Sequence, residues 1–269
     1  MAVRIVVDSS AGLPAAVVRE LGITVVDLHM VDRAAETTTS GLSSLELAAA
    51  YARQLERGGD DGVVALHVAK ELSSTYSAAV AASAVFDGAV RVIDTASVGM
   101  AVGAAAMAAA RVAQNGADLD ECEHTAADTL ARSATWVYLQ KIDELRKSGR
   151  LSAGTALMSA AVLAIKPIME VRGGKLELAG KTRTQAKAFS KLAELIQERA
   201  EGEPVFVAVQ HFDAEEAVGQ LRELFEEVLP PGSSVMVTPL NEVLTVHTGS
   251  GAIGVSAVFT SGPEPDLES

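Results

Sequence analysis

The stretch VRIVVDSSAGLP, residues 3–14, decides the fold. Val3 to Val7 is a mainly β-branched run that reads as a strand, and Asp8-Ser9-Ser10 is a polar loop. Leu13-Pro14 opens a helix that stops at Gly22, because proline is pre-set for a first helical turn. The same grammar repeats downstream. Ile23–Met30, Val63–Val68 and Val90–Asp94 read as strands, and Thr135–Leu139 as a fifth. Ser43-Ser44-Leu45-Glu46 matches a capping box ahead of a helix ending at Gly58-Gly59, and an Ala-rich helix after the fourth strand ends at Asn115-Gly116. This alternation predicts a parallel sheet covered by helices.

The polar clusters follow the strands. Asp8-Ser9-Ser10 follows the first, Thr37 to Ser40 are expected in the loop after the second, Ser73-Ser74-Thr75-Tyr76 follows the third, and Asp94 to Ser97 the fourth. Open parallel sheets bind ligands outside the carboxyl ends of their strands.

From about residue 153 the pattern changes. An apolar helix over Ala153–Ile165 leads through Pro167 into two strands joined by Gly173-Gly174, a two-residue hairpin signal that parallel pairing does not allow. A helix from Thr184 to Ala200, a strand Val205–Gln210, a helix opened by Asp213, and strands at Val235–Thr238 and Ile253–Phe259 complete the reading. The expected architecture is α/β in two lobes: residues 1–152 with a parallel sheet, and residues 153–269 with a mainly antiparallel one. The tail Gly262–Ser269 is polar and expected to fray.

Composition excludes several classes. A net charge of −13 opposes the basic surface that a phosphate backbone requires, so nucleic acid is not an expected partner. With 4% aromatic residues, the core must be built from small aliphatic side chains. Cys122 is alone, which rules out an intrachain disulfide. The start MAVRIVVDSS has no apolar signal-peptide region, and the compartment is read as cytoplasm. Ala96–Ala110 and Ala153–Ile165 fall short of the ~20 apolar residues of a membrane span and read as buried helices.

Gly249 to Gly254 spells G-x-G-x-x-G, yet Val255–Phe259 after it reads as a strand rather than a helix, so no dinucleotide is expected. His29, His67, His124, His211 and His247 lack metal-ligand spacing, and neither a metal nor a cofactor is expected. There is no G-x-S-x-G elbow, S-x-x-K pair or P-loop, which disfavours an autonomous hydrolase or kinase.

Seven motifs in order carry a resemblance. They are Val7-Asp8-Ser9-Ser10 with Leu13-Pro14; Thr39-Ser40; Leu72 to Tyr76; Asp94 to Gly99; Ser148-Gly149-Arg150-Leu151-Ser152; Arg183-Thr184 with Lys187-Ala188; and His247-Thr248-Gly249. Together they resemble the DegV family from residue 3 to about residue 259. The resemblance implies the lipid-carrying subunit of bacterial fatty acid kinase, a part of phospholipid metabolism. Such a protein is not itself an enzyme; it holds a long-chain fatty acid between its lobes and presents the carboxylate to a separate ATP-dependent kinase subunit, with at most transient contact with a membrane surface. It further implies that Thr39 and Ser73 hold the carboxylate through their hydroxyls, that Ser74 adds its backbone amide, that His247 is linked to that carboxylate, and that Arg183 serves kinase docking or phosphate transfer. The family's T-S-Q-P-S reads Thr39-Ser40-Gly41-Leu42-Ser43 here, its S-G-T-Y reads Ser73-Ser74-Thr75-Tyr76, and its H-x-G-P reads His247-Thr248-Gly249-Ser250.

The residues agree with such a role, because a buried carboxylate must accept hydrogen bonds or lose its charge, and Ser/Thr hydroxyls supply them without a full positive charge. Taken without the resemblance, the same hydroxyls read as ordinary caps and turns. Two other functions stay open at this point: a small-molecule transferase or hydrolase using Ser73 or His247, and a carrier of another apolar carboxylic acid.

Overall fold

The structure, a computed structural model, describes residues 2–33, 36–151 and 165–262. The chain begins as the opening stretch predicts, with β1 (Arg4–Asp8) followed by α1 (Ala15–Leu21), and Gly22 closes α1 at φ 65°, a left-handed conformation that costs glycine little. β2 (Thr24–Val26) then pairs parallel to β1. The single strand expected over Ile23–Met30 is in fact two. At Leu28 the backbone amide donates to Ser9 Oγ (3.0 Å), and the chain leaves the sheet for a hairpin of β3 (His29–Arg33) and β4 (Glu36–Ser40). Thr37 to Ser40, expected as loop, are thus strand.

Next come α2 (Ser44–Gly58), β5 (Val63–His67), α3 (Thr75–Ser83) and β6 (Val90–Asp94). The Ser43–Glu46 capping box is present in full: Ser43 Oγ accepts from the Glu46 amide, and the Glu46 carboxylate accepts from the Ser43 amide at 2.8 Å. The first sheet has the order β2-β1-β5-β6 and is parallel throughout. Both its faces are buried. Val6, Val63 and Ala65 pack under Leu47 and Tyr51 of α2 and Ala79 of α3, while Ile5, Val7, Val64 and Leu66 face the other way, against α4 (Met100–Gln114) and α5 (Leu119–Ala131). That two-sided burial explains the nearly continuous aliphatic runs of its strands.

The second sheet is built from β7 (Ser133–Tyr138), β8 (Lys166–Arg172), β9 (Lys175–Thr182), β10 (Val205–His211), β11 (Ser234–Pro239) and β12 (Ile253–Phe259). Its order is β11-β10-β12-β7-β8-β9, antiparallel except for the parallel β10–β11 pair. β8 and β9 form the hairpin expected at Gly173-Gly174. The strand at Thr135–Leu139 does not extend the parallel sheet as expected. It lies between β12 and β8, and its alternation shows why: Ala134, Trp136 and Tyr138 enter a buried cluster while Ser133 and Thr135 look away, which suits a sheet with two unlike faces.

Four helices of the described residues complete the second half. α6 (Asp143–Lys147) follows β7, and α7 (Gln185–Ala200) and α8 (Glu215–Val228) pack Phe189, Leu192, Ile196, Leu221 and Phe225 against the apolar face of the second sheet. The helix expected from Asp213 starts at Glu215, and α9 (Glu242–Thr248), a helix the sequence reading did not include, carries His247. The apolar helix expected over Ala153–Ile165 lies outside the described residues up to residue 164, as does the tail from residue 263. Among the described residues no helix is long and apolar enough to cross a membrane.

Candidate functional site: a cavity between the two sheets

Part of the face of the second sheet that turns away from α7 and α8 carries small and polar residues. Thr135 and Val137 of β7, Gly254 and Ser256 of β12 and Gln210 of β10 share it, while their neighbours in each strand point into the apolar cluster. Small side chains leave space there. Between this face and the loops after β1, β4 and β5 lies a cavity of about 610 Å³. Its walls are largely aliphatic, with Val68, Leu72, Val98, Leu145, Leu176 and Leu244 among them.

Thr39, Ser73, Ser74 and His247 all line this cavity. Thr39 Oγ1 and His247 Nε2 are 2.8 Å apart, across 208 positions of sequence. β4 carries the threonine and the last turn of α9 carries the histidine. Burial lowers the His247 pKa to about 4, and the positive charge of Arg150 adds to the effect. The imidazole is therefore neutral near pH 7. With its proton on Nε2 it donates to Thr39 Oγ1, and the threonine hydroxyl proton is then released toward the cavity.

Ser73 stands just before α3. Its Oγ lies 2.9 Å from Thr75 Oγ1 and accepts from the Thr75 amide at 3.2 Å, while Thr75 Oγ1 accepts from the Leu42 amide at 3.3 Å. Gly41 crosses directly over this knot: a Cβ there would sit 2.8 Å from Ser74 Oγ and 2.9 Å from Thr75 Oγ1. Glycine at 41 and serine at 74 are thus a matched pair in space.

Arg183 is placed elsewhere. It is exposed, in the turn between β9 and α7, outside the cavity lining. Near it Lys181, Lys187 and Lys191 edge a shallow outer groove, a basic patch on an acidic protein.

Two features escaped the sequence reading. Arg150 lines the cavity and acts on His247, although its motif was noted only as part of a pattern. Asp8 is the buried centre of a network that reaches Ser10 in the cavity wall. One of its oxygens accepts from the Ser10 amide (2.9 Å) and hydroxyl (2.5 Å); the other accepts from the Val68 amide (2.8 Å) and lies 3.3 Å from His67 Nδ1, whose Nε2 is 2.8 Å from Tyr51 Oη. Burial works to raise the Asp8 pKa, but the contacts with His67, Ser10 and Val68 outweigh it and leave the pKa below its ordinary value. Burial and the Asp8 charge push the Tyr51 phenol upward. Among the described residues no group of His, Cys, Asp or Glu is placed to hold a metal ion.

Fold and cavity together define an α/β protein with an internal compartment, aliphatic along its walls and lined by hydroxyls and an imidazole where β4, α3 and α9 meet. The sequence model of the DegV family, described as an uncharacterised protein family, matches residues 29–260, and the chain belongs to this family. A DegV domain-containing protein of Corynebacterium glutamicum is 62% identical over 262 residues, which is 97% of this chain and 95% of that one. The crystal structure of a C. glutamicum DegV family protein superposes with a TM-score of 0.95 at 61% identity, covering 97% of this chain and 99% of the other. Two more distant structures are both 26% identical and cover 96% of this chain and 99% of their own. One is a Thermus thermophilus DegV family protein described for its fatty acid binding (TM-score 0.87), and the other is Bacillus subtilis DegV, described as a fatty acid binding protein (TM-score 0.83).

Proposed function

We propose that this chain is a carrier for a long-chain fatty acid, held between the two sheets with its carboxylate against Thr39, Ser73, the Ser74 amide and His247. The carrying observation is the Thr39–His247 pair at 2.8 Å in an otherwise mainly aliphatic cavity. Hydroxyls, that of Thr39 oriented by the neutral imidazole, can donate to a carboxylate without forming a full ion pair, so the carboxylate keeps its nucleophilicity. Arg150 supplies a nearby charge that favours the ionised ligand. Fatty acid binding by relatives of the same fold supports the reading.

The second part of the proposal is that the carrier acts in the cytoplasm with a separate ATP-dependent kinase. Phosphoryl transfer depends on positioning and on cationic groups, and the Arg183 patch is an exposed set of cations suited to docking or transfer. A hydrolase reading fits less well, since His247 is hydrogen-bonded to Thr39 while Ser73 contacts Thr75. The test is lipid extraction and mass spectrometry of the purified protein, with ATP turnover measured alone and with kinase. One fatty acid per chain and turnover only with the kinase are expected. A protein that is empty and takes up no added fatty acid contradicts the carrier reading.

A further inference from the structure

The cavity has a second polar region that the carboxylate site does not use. Thr135, Gln210 and Ser256 line it from the second sheet and are 4%, 2% and 3% exposed, and Ser10 lines it from the loop after β1. These groups adjoin one another. A Cβ on Gly99 would lie 2.9 Å from Gln210 Oε1 and 3.9 Å from Ser256 Oγ, the Gly99 amide donates to the Ser10 carbonyl, and a Cβ on Gly12 would strike Gln210 Nε2.

Proton counting shows what this region lacks. Ser97, Thr135 and Ser256 form a chain of hydroxyls, with Oγ–Oγ1 contacts of 3.3 and 3.2 Å. Three hydroxyls carry three protons, and two contacts consume two of them. Either atom can donate in each contact; with Ser97 donating to Thr135 and Thr135 to Ser256, the spare proton is on Ser256, which faces the cavity. Gln210 spends its carbonyl on the Met100 amide (3.1 Å), while its NH₂ reaches Gly12 O only at 3.5 Å and has a second proton to place. Ser10 is the opposite case, because its proton goes to Asp8 and only lone pairs remain. The region thus offers the Gln210 NH₂ and, in that order of donation, the Ser256 hydroxyl as donors beside the Ser10 acceptor. That is the complement of a hydroxyl group, and methylenes passed over it would leave buried donors unpaired.

We infer that the cavity is built for a fatty acid carrying one hydroxyl along its chain, received by Ser256 and Gln210 as donors and Ser10 as acceptor. This rests on the carrier reading and adds the ligand's class. Water filling the region would satisfy the same groups, but an unsubstituted chain would have to displace it without replacing its hydrogen bonds.

The test is competition for the delipidated protein between stearic acid and a positional series of monohydroxystearic acids, in the wild type and in a Thr135→Val/Ser256→Ala double variant. One hydroxyl position is expected to bind about tenfold tighter than stearic acid in the wild type, as one well-made hydrogen bond would give. In the double variant that maximum should vanish. Should the double variant fail to fold, Ser256→Ala alone carries the comparison. A flat series in the wild type, or a maximum that survives the substitutions, overturns the inference while stearic acid binding keeps the carrier reading intact. Binding of none of the acids overturns both.

Discussion

The two sheets solve the same problem differently. The parallel sheet is apolar on both faces, with Val6 and Val63 under α2 and α3 and Val7 and Val64 under α4 and α5. The larger sheet packs one face, with Trp136, Val207 and Val255, under α7 and α8. Its other face is mixed: Ala208 joins the cluster of α4, Met169 and Val171 join a further buried cluster, and Thr135, Gln210 and Ser256 line the cavity. The polar residues that β7, β10 and β12 place on that face, Thr135, Gln210 and Ser256, therefore mark the wall of a cavity here. The first sheet is scaffold, and the second is half scaffold and half site.

The sharpest way to break this comparison is within one strand. Trp136→Ala on the packed face of β7 should cost about 3–5 kcal/mol in denaturant unfolding, as a large buried aromatic leaves a cavity. Thr135→Val next to it should cost less, about 1–2 kcal/mol, because it keeps the side-chain volume and removes only the hydroxyl between Ser97 and Ser256. Equal costs would mean that both faces are packed core.

A somewhat smaller effect is expected where the first sheet meets the cavity. Asp8→Ala removes the acceptor for Ser10, His67 and the Val68 amide and should cost about 2–4 kcal/mol. Because the folded pKa of Asp8 lies below its ordinary value, its contribution is present above that ordinary value and is lost as pH falls through the folded pKa. The wild type should therefore lose stability in acid more steeply than Asp8→Ala, as equilibrium unfolding at several pH values would show.

His247 gives a gentler slope at higher pH. Its folded pKa of about 4 is depressed from 6.5, so the unfolded chain takes up its proton first. The stability that depends on a neutral His247 is present above pH 6.5 and declines as pH falls toward 4. The loss should be on the order of 1 kcal/mol after solvent screening of a partly exposed ring. His247→Ala should flatten that segment of the curve, and an unaltered slope would contradict the assignment.

The smallest effect belongs to Gly41. Gly41→Ala should cost about 1 kcal/mol through contact with Ser74 Oγ and Thr75 Oγ1, and Ser74→Gly in that background should restore part of it. Additive costs in this double-mutant cycle would mean that the two positions are independent.

These differences also set what the sequence could reveal. β1, α1, the Ser43 cap and the Gly173-Gly174 hairpin were legible because neighbouring residues encode them. The β3–β4 hairpin was not, because its exposed ribbon, with Met30 42% exposed, buries no regular face and leaves no alternation to read. The strand at β7 was visible but its neighbour was not, since Thr135 meets Ser256 across 121 positions. In the site, the resemblance singled out Thr39, Ser73, Ser74 and His247, and the fold gathers them on one cavity. Arg150 and the burial of Asp8 depend on distances between remote segments, which no local pattern records.

The central claim is that a fatty acid carboxylate sits against Thr39 and His247. It is tested most directly by loading the protein with palmitic acid isotopically labelled at its carboxyl carbon and recording the NMR resonance of that carbon in the wild type, Thr39→Val and His247→Ala. One ionised carboxylate resonance is expected near pH 7, distinct from that of free palmitate and displaced in both variants while the lipid stays bound. A resonance that neither substitution moves, with the lipid still bound, would place the carboxylate elsewhere and contradict the account.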